Sequence, residues 1–192
     1  MKNIIIFGSM GSGKDTAAEM IQRHFNSRIA KIGGRIRCHV DEICNLMNLN
    51  DNKKRLLYQE YGQTMRRIFG QDIWNLYLRR EIDQDLHNGR HIVIADGRQV
   101  NEASFWRKEG FLLVGIDADP EIRIKRLYER DGYDQSSGLT HETEMQAMEI
   151  VSLIKEKQEA EPGSGEFFYI DNNGTLEDLA RRVEDLCNLI RE

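Results

Sequence analysis

The feature that most restricts this chain stands at its start, in IIIFGSMGSGKDT, Ile4 to Thr16. An unbroken apolar run, Ile4 to Phe7, reads as a strand buried on both faces. Gly13 to Phe25 reads as a helix, with Ala17, Met20, Ile21 and Phe25 on one face. Between the two lies Gly8-x4-Gly13-Lys14, made of Gly8, Ser9, Met10, Gly11, Ser12 and Gly13. Glycines here let the backbone wrap closely enough for several N–H groups to point at one phosphate. The helix that starts behind them adds a positive dipole end of about half a charge. Lys14, exposed in the loop, is expected to add a full charge for the β- and γ-phosphates of a nucleotide. The plain alternative is a glycine-rich turn with a solvated lysine, and the strand and helix flanks weigh against it. Asp15 stands where Ser or Thr usually follows the lysine. A carboxylate is a hard oxygen ligand, so Asp15 is the metal candidate, holding Mg²⁺ directly or through water, and Thr16 remains for a phosphate oxygen.

The rest of the chain repeats the alternation. RIAKIG (Arg28–Gly33) is a short, weaker strand, HIVIADG a strong one, FLLVGIDA the next and FFYID the last. Strands separated by helices imply a parallel, doubly wound α/β sheet. Ile36 to about Leu86 is helical, with breaks expected near Asn50–Asp51 and Gly70, hence three helices. Thr175 is placed to cap a last helix with the apolar stripe Leu176, Leu179, Val183, Leu186 and Ile190. Trp74 and Trp106 read as core. The 192 residues are the length of a single domain. Its expected parts are a core over 1–34, 90–122 and 165–192, a helical acceptor-binding insert over 35–89 and a lid over 123–145.

Composition matters for what it excludes. The 27 basic residues against 32 acidic ones give a net charge of −5, which argues against an extended nucleic-acid footprint. Cys38, Cys44 and Cys187 show neither metal-site nor pairing spacing, and no apolar run suits a signal peptide or a membrane span. A cytoplasmic protein without a membrane partner is expected. His24, His39, His87 and His91 show no ligand geometry.

Further segments follow the loop in order: YGQTMRRIFGQDIW (Tyr61–Trp74), IVIADGRQVNEASFWRKEGFLLVGI, THETE (Thr140–Glu144) and IDNNGTLEDL. Together with GSMGSGKDT they resemble the deoxynucleoside monophosphate kinases of large bacteriophages and their bacterial relatives along most of the chain. DPEIRIKRLYERDG is more similar to the lid entry of dephospho-coenzyme A kinases and adenylate kinases. Arg35 and Arg37 stand where the family often shows Pro and Lys. The resemblance implies a P-loop NTPase fold of the nucleoside-monophosphate-kinase type: a five-stranded parallel sheet flanked by helices, with a helical substrate insert and a lid. It implies ATP as phosphoryl donor, Mg²⁺ as cofactor and a nucleoside or deoxynucleoside monophosphate as acceptor. The alternative is a hydroxyl acceptor, as in dephospho-coenzyme A kinases. From another class, a nucleotide-dependent switch or a binder of nucleic-acid ends is opposed by the net charge and the lid arginines. A homodimer stays open.

Asp96 and Arg98 follow a strand and so lie at the carboxyl edge of the sheet, where ligands bind in such folds. Nucleoside monophosphate kinases carry a similar Asp-Gly-x-x-Arg there. Asp96 is expected to orient metal-bound water or the acceptor, or to act as base toward a hydroxyl. Arg98 is expected to grip the acceptor phosphate with its planar fork. Arg123, Arg126 and Arg130 share a helical face. Arginines delivered by a closing lid can speed phosphoryl transfer by ~10³ or more. Arg126 is assigned to the nucleotide base and Arg130 to the phosphates, while Arg123 reads equally as a lid residue or a solvated helix residue; the bland reading of the set is an exposed face paired with Glu121 and Glu129. By resemblance Arg67 is the basic acceptor residue of the insert, with Arg37 nearby, while Arg66 reads as exposed and Asp41 as a surface carboxylate, with contact to a base or sugar hydroxyl as its alternative. Asn172, Asn173 and Gly174 are expected to form the turn beneath the adenine. His141 and Glu144 match the family segment, with a structural place at a helix N-terminus expected.

Overall fold

The computed structural model describes residues 1–49, 54–132 and 142–191. Its strands are β1 (Ile4–Phe7), β2 (Arg28–Ala30), β3 (Ile92–Gly97), β4 (Leu112–Asp117) and β5 (Phe167–Asp171). They form one sheet in the order β2-β3-β1-β4-β5, every pair parallel, with Ile4 facing Val93 on one side and Leu112 on the other. Strand periodicity then divides the core. Ile4, Ile6, Val93, Val114 and Ile170 point to one face, against α1 (Lys14–Phe25) and α9 (Leu176–Arg191). Ile5, Phe7, Ile92, Ile94 and Leu113 point to the other face, covered by α2 (Gly34–Leu46), α4 (Ile73–Glu81), α6 (Val100–Lys108) and α8 (Glu142–Ala160). Both faces are covered, which is why the strands are apolar throughout rather than alternating.

Between β2 and β3 the described residues hold α2, α3 (Lys54–Phe69), α4 and α5 (Asp83–His87), one helix more than expected. The chain breaks at Gly70 as predicted, and again at Ile82, whose side chain is fully buried. No Gly or Pro marks that second break; packing of Ile82 against the sheet imposes it. The break expected at Asn50–Asp51 lies outside the described residues. Trp74 and Trp106 are core, as expected. Their indole N–H groups donate to the Gly62 carbonyl and to Asn75 Oδ1, each at 3.1 Å, tying α4 to α3 and to α6. Truncating either to Ala should cost about 3–5 kcal/mol.

Thr175 caps α9 reciprocally: Asp178 N donates to Thr175 Oγ1 at 3.2 Å, and Thr175 N donates to Asp178 Oδ2 at 3.0 Å. The stripe differs at one position. Leu176 is 63% exposed, because α9 begins past the carboxyl edge where β5 has ended, and Cys187 joins Leu179, Val183, Leu186 and Ile190 instead. All three cysteines are free. No helix among the described residues is long and apolar enough to cross a membrane.

Candidate active site

The loop from Gly8 to Gly13 leaves β1 at the carboxyl edge and runs straight into α1. Gly8 is needed for closeness: a Cβ there would overlap the Ile116 carbonyl and lie 2.6 Å from Ser12 Oγ. Gly13 needs both its conformation, φ 101°, and its bareness, since a Cβ would run into the Asn172 amide. That amide donates to the Ser12 carbonyl at 2.8 Å, so the turn after β5 is tied to the loop from the far side of the sheet. Asn173 Oδ1 accepts from Asp119 N at 2.6 Å, and Arg126 Nη2 donates to the Asn172 carbonyl at 3.0 Å. The loop, Arg126 and the Asn172–Gly174 turn are therefore joined in one wall.

One residue of this wall differs from expectation, and the structure decides a second that the sequence leaves open. Lys14 is not exposed: it is 7% accessible and folds back to donate to the Gly8 carbonyl at 2.5 Å and the Ser9 carbonyl at 2.8 Å. Burial, and after it the charge of Arg98, push its ammonium down to about 7. Arg123 is not solvated. It is 4% exposed on α7 (Pro120–Asp131), where the helix backbone closes on Gly11 to a distance only a glycine leaves open. Ser9 Oγ, Ser12 Oγ, Arg123 Nε and Arg126 Nη1 are buried there without protein partners. Orphaned buried polar groups cost about 1–3 kcal/mol each. A cluster of them that can all donate is a wall prepared for an anion.

Asp15 lies at the mouth of the loop, its side chain 65% exposed and 2.7 Å from Lys31 Nζ. Partial burial works to raise its pKa, but the hydrogen bond and charge of Lys31 outweigh it and hold the carboxyl below the ordinary range. Among the described residues no group of three His, Cys, Asp or Glu is placed to hold a metal ion. Asp15 alone with Thr16 fits Mg²⁺ only as an ion that keeps most of its ligands from water and nucleotide phosphates, which is its usual habit.

Beside the loop opens a cleft of about 300 Å³ lined by Met10, Gly33, Arg37, Arg66, Asp96 and Arg98, with Tyr58, Gln59, Gln63, Gln99 and Glu102. Asp96 accepts the backbone N–H groups of Ile32 (2.7 Å) and Gly33 (3.0 Å), one on each oxygen, so it shapes the β2–α2 turn as well as facing the cleft. Arg67, the basic residue expected at the acceptor, does not line this cleft. It is exposed and donates to Thr64 Oγ1 at 3.3 Å on its own helix, outside the cleft. Arg66 lines it instead, 9% exposed. Helix phase gives the reason: Gln59, Gln63 and Arg66 fall at i, i+4 and i+7, on the face that α3 turns to the cleft.

Arg66 Nη2 lies 3.4 Å from Glu102 Oε1, and its Nε has no partner. Glu102 Oε2 accepts the N–H groups of Arg98 (2.8 Å) and Gln99 (3.0 Å) at the start of α6. Burial pushes this carboxyl up to about 7, against those hydrogen bonds. Glu102 thus closes the start of α6 from its third position, although Gln99 is not one of the usual capping residues and no sequence signature marks the place. Asp41 accepts from Tyr58 OH at 2.7 Å and so braces a cleft residue. Glu144, 1% exposed, bridges Met10 N and Arg98. Arg130 is exposed in the last turn of α7, outside the cleft lining. The lid expected over 123–145 is described only in α7 and the start of α8, and His141 lies outside the described residues.

Three comparisons bear on this geometry. The fold is shared with TT1252 from Thermus thermophilus, at TM-score 0.60 and 20% identity over 98% of both chains. It is shared with a gluconokinase from Sinorhizobium meliloti 1021 at TM-score 0.52 and 16% identity, over 99% of this chain and 92% of that one. A shikimate kinase from Acinetobacter baumannii in complex with shikimate matches at TM-score 0.50 and 15% identity, over 100% and 93%. Identities this low establish the fold, that of P-loop kinases, and nothing finer. No curated protein matches the sequence. The family model described as AAA domain matches residues 4–151, which take in the phosphate loop, the insert, the Asp96–Arg98 turn and the first half of α8. With three-quarters of its length inside that match, the chain belongs to the AAA-domain family.

Proposed function

We propose that this protein is an ATP-dependent phosphotransferase that moves the γ-phosphoryl group to a small phosphorylated acceptor, a nucleoside or deoxynucleoside monophosphate. The observation that carries the reading is the cleft in which Arg37, Arg66 and Arg98 converge beside the phosphate loop. An ionised phosphate oxygen is already a nucleophile; it needs cations and orientation rather than a base. Arginine forks meet phosphate in pairs of parallel hydrogen bonds, and three of them suit one such group.

On the donor side, the loop amides and the N-terminus of α1 receive the β- and γ-phosphates. Lys14 leaves the Gly8 and Ser9 carbonyls and regains a full charge beside the polyanion. Arg126 and the Asn172–Gly174 turn flank the nucleotide base. Asp15 and Thr16 would hold Mg²⁺, which when bound neutralises phosphate charge. Arg130 serves the phosphates in this reading, so Arg130→Ala should lower kcat more than it weakens ATP binding.

A second reading takes a hydroxyl acceptor, as the names of the gluconokinase and shikimate kinase with this fold imply for those proteins. It needs a carboxylate base, and Asp96 faces the cleft. Both oxygens of Asp96 are engaged by the Ile32 and Gly33 amides, which favours the phosphate acceptor. Coupled ADP release across ribo- and deoxyribonucleoside monophosphates, dephospho-coenzyme A, gluconate and shikimate separates the two. Turnover is expected with monophosphates; turnover confined to the hydroxyl acceptors would reverse the assignment.

A further inference from the structure

Glu144 lies in the first turn of α8, where any acid is favoured by the helix dipole, and its sequence position predicts no more than that. Its surroundings are different from those of a surface cap. It is 1% exposed. Oε2 accepts the backbone N–H of Met10 in the phosphate loop at 2.7 Å, and Oε1 accepts Arg98 Nη1 at 2.5 Å. One carboxylate thus joins the donor loop to an arginine of the acceptor cleft. By charge alone a buried carboxylate beside a phosphate site weakens anion binding. Its benefit therefore lies in what it does to Arg98.

An arginine has many rotamers, and immobilising such a side chain on a ligand costs roughly three- to tenfold in affinity. Here α8 packs across β4 and β5 through Ile150, Val151 and Ile154, so Glu144 is a fixed point. Arg98 is held to it by one Nη while its side chain stays 34% exposed and lines the cleft, and a guanidinium has further donors to offer. We propose that Glu144 is a positioning residue: it pins Arg98 at the seam between phosphate loop and cleft, so the guanidinium is set for an acceptor phosphate before one arrives. This rests on the reading of the cleft as a phosphate-acceptor site.

A double-mutant cycle tests it, with the parent, Glu144→Gln, Arg98→Ala and the double variant each titrated with inorganic phosphate by calorimetry and assayed for ADP release. Gln keeps the size of the side chain and an oxygen for Met10 N but gives Arg98 no charge. Glu144→Gln is expected to weaken phosphate binding roughly three- to tenfold when Arg98 is present, and not at all, or in the opposite sense, when it is absent. Its kcat should fall with the KM for ATP unchanged. Glu144→Asp, which keeps the charge on a shorter reach, should show an intermediate loss and covers a Gln variant that fails to fold. The same fold loss in both backgrounds would make Glu144 a support of the loop and overturn the assignment, as would failure of the parent to bind phosphate. Coupling in phosphate binding without ADP release for any monophosphate would leave the pinning of Arg98 standing and remove the kinase reading.

Discussion

The two sides of the site are built in opposite ways. The nucleotide side is local: one strand end, six loop residues and one helix N-terminus, held by backbone geometry and buttressed by Asn172. The cleft proposed for the acceptor is convergent: Arg37 comes from α2, Arg66 from α3, and Arg98 and Glu102 from the junction of β3 and α6. A local site is fixed by spacing along the chain. A convergent one is fixed by which face each helix turns inward, and it tolerates errors of one residue badly.

The largest effect is expected where the local side is broken. Lys14→Ala should lower kcat about a thousandfold or more, the scale on which a cation acts at a transferring phosphoryl group. The fold should survive. A lysine whose pKa is depressed in the folded chain binds fewer protons there than when unfolded, so parent stability rises with pH from about 7 toward the ordinary lysine value. Thermal unfolding across that range should lose this rise in Lys14→Ala. By the same linkage, ATP binding at pH 8 should take up close to one proton in the parent, as the phosphates restore the ammonium, and none in the variant. Calorimetry in buffers of different ionisation enthalpy reads the difference.

The convergent side is tested by two neighbours. Arg66→Gln should raise the acceptor KM roughly 10- to 100-fold, the loss of a charge-assisted hydrogen bond, while Arg67→Gln leaves it within about twofold. Equal effects would mean that α3 presents a different face to the acceptor. A smaller effect is expected at Asp15. Its charge opposes a metal-free triphosphate, so chelating Mg²⁺ should weaken ATP binding roughly three- to tenfold more in the parent than in Asp15→Ser. Equal losses would assign Asp15 to Lys31 and the helix dipole alone.

The smallest effect concerns Glu102. Its carboxyl, raised to about 7, binds more protons folded than unfolded, so parent stability should fall as pH rises from the ordinary glutamate range through 7. Glu102→Gln should flatten that slope, a change of a few degrees in Tm.

This contrast also explains what the sequence could say. The five strands, the phosphate loop, the Thr175 cap and the Asn172 turn were legible because each follows from residues adjacent in the chain. Arg67 was chosen over Arg66 because resemblance aligns motifs without fixing helix phase. Arg123 is undecided between site and solvent in the sequence because nothing local shows that α7 closes on Gly11. Lys14 looked exposed because its burial needs the loop carbonyls to turn inward. Ile82 broke a helix without Gly or Pro, since its cause is the sheet beneath it. Glu144 reads as an ordinary helix-start acid and Glu102 carries no signal of its own, and only the packed structure buries them against Arg98 and Arg66.

The central claim is that the local loop and the convergent arginines act on one phosphoryl group between them. The most direct test follows the label of γ-³²P ATP into product with a panel of nucleoside and deoxynucleoside monophosphates. The account predicts label in a nucleoside diphosphate, lost in Lys14→Ala and strongly reduced in Arg66→Gln at subsaturating acceptor. Label released only as inorganic phosphate, or transferred equally well by Arg66→Gln, would contradict it.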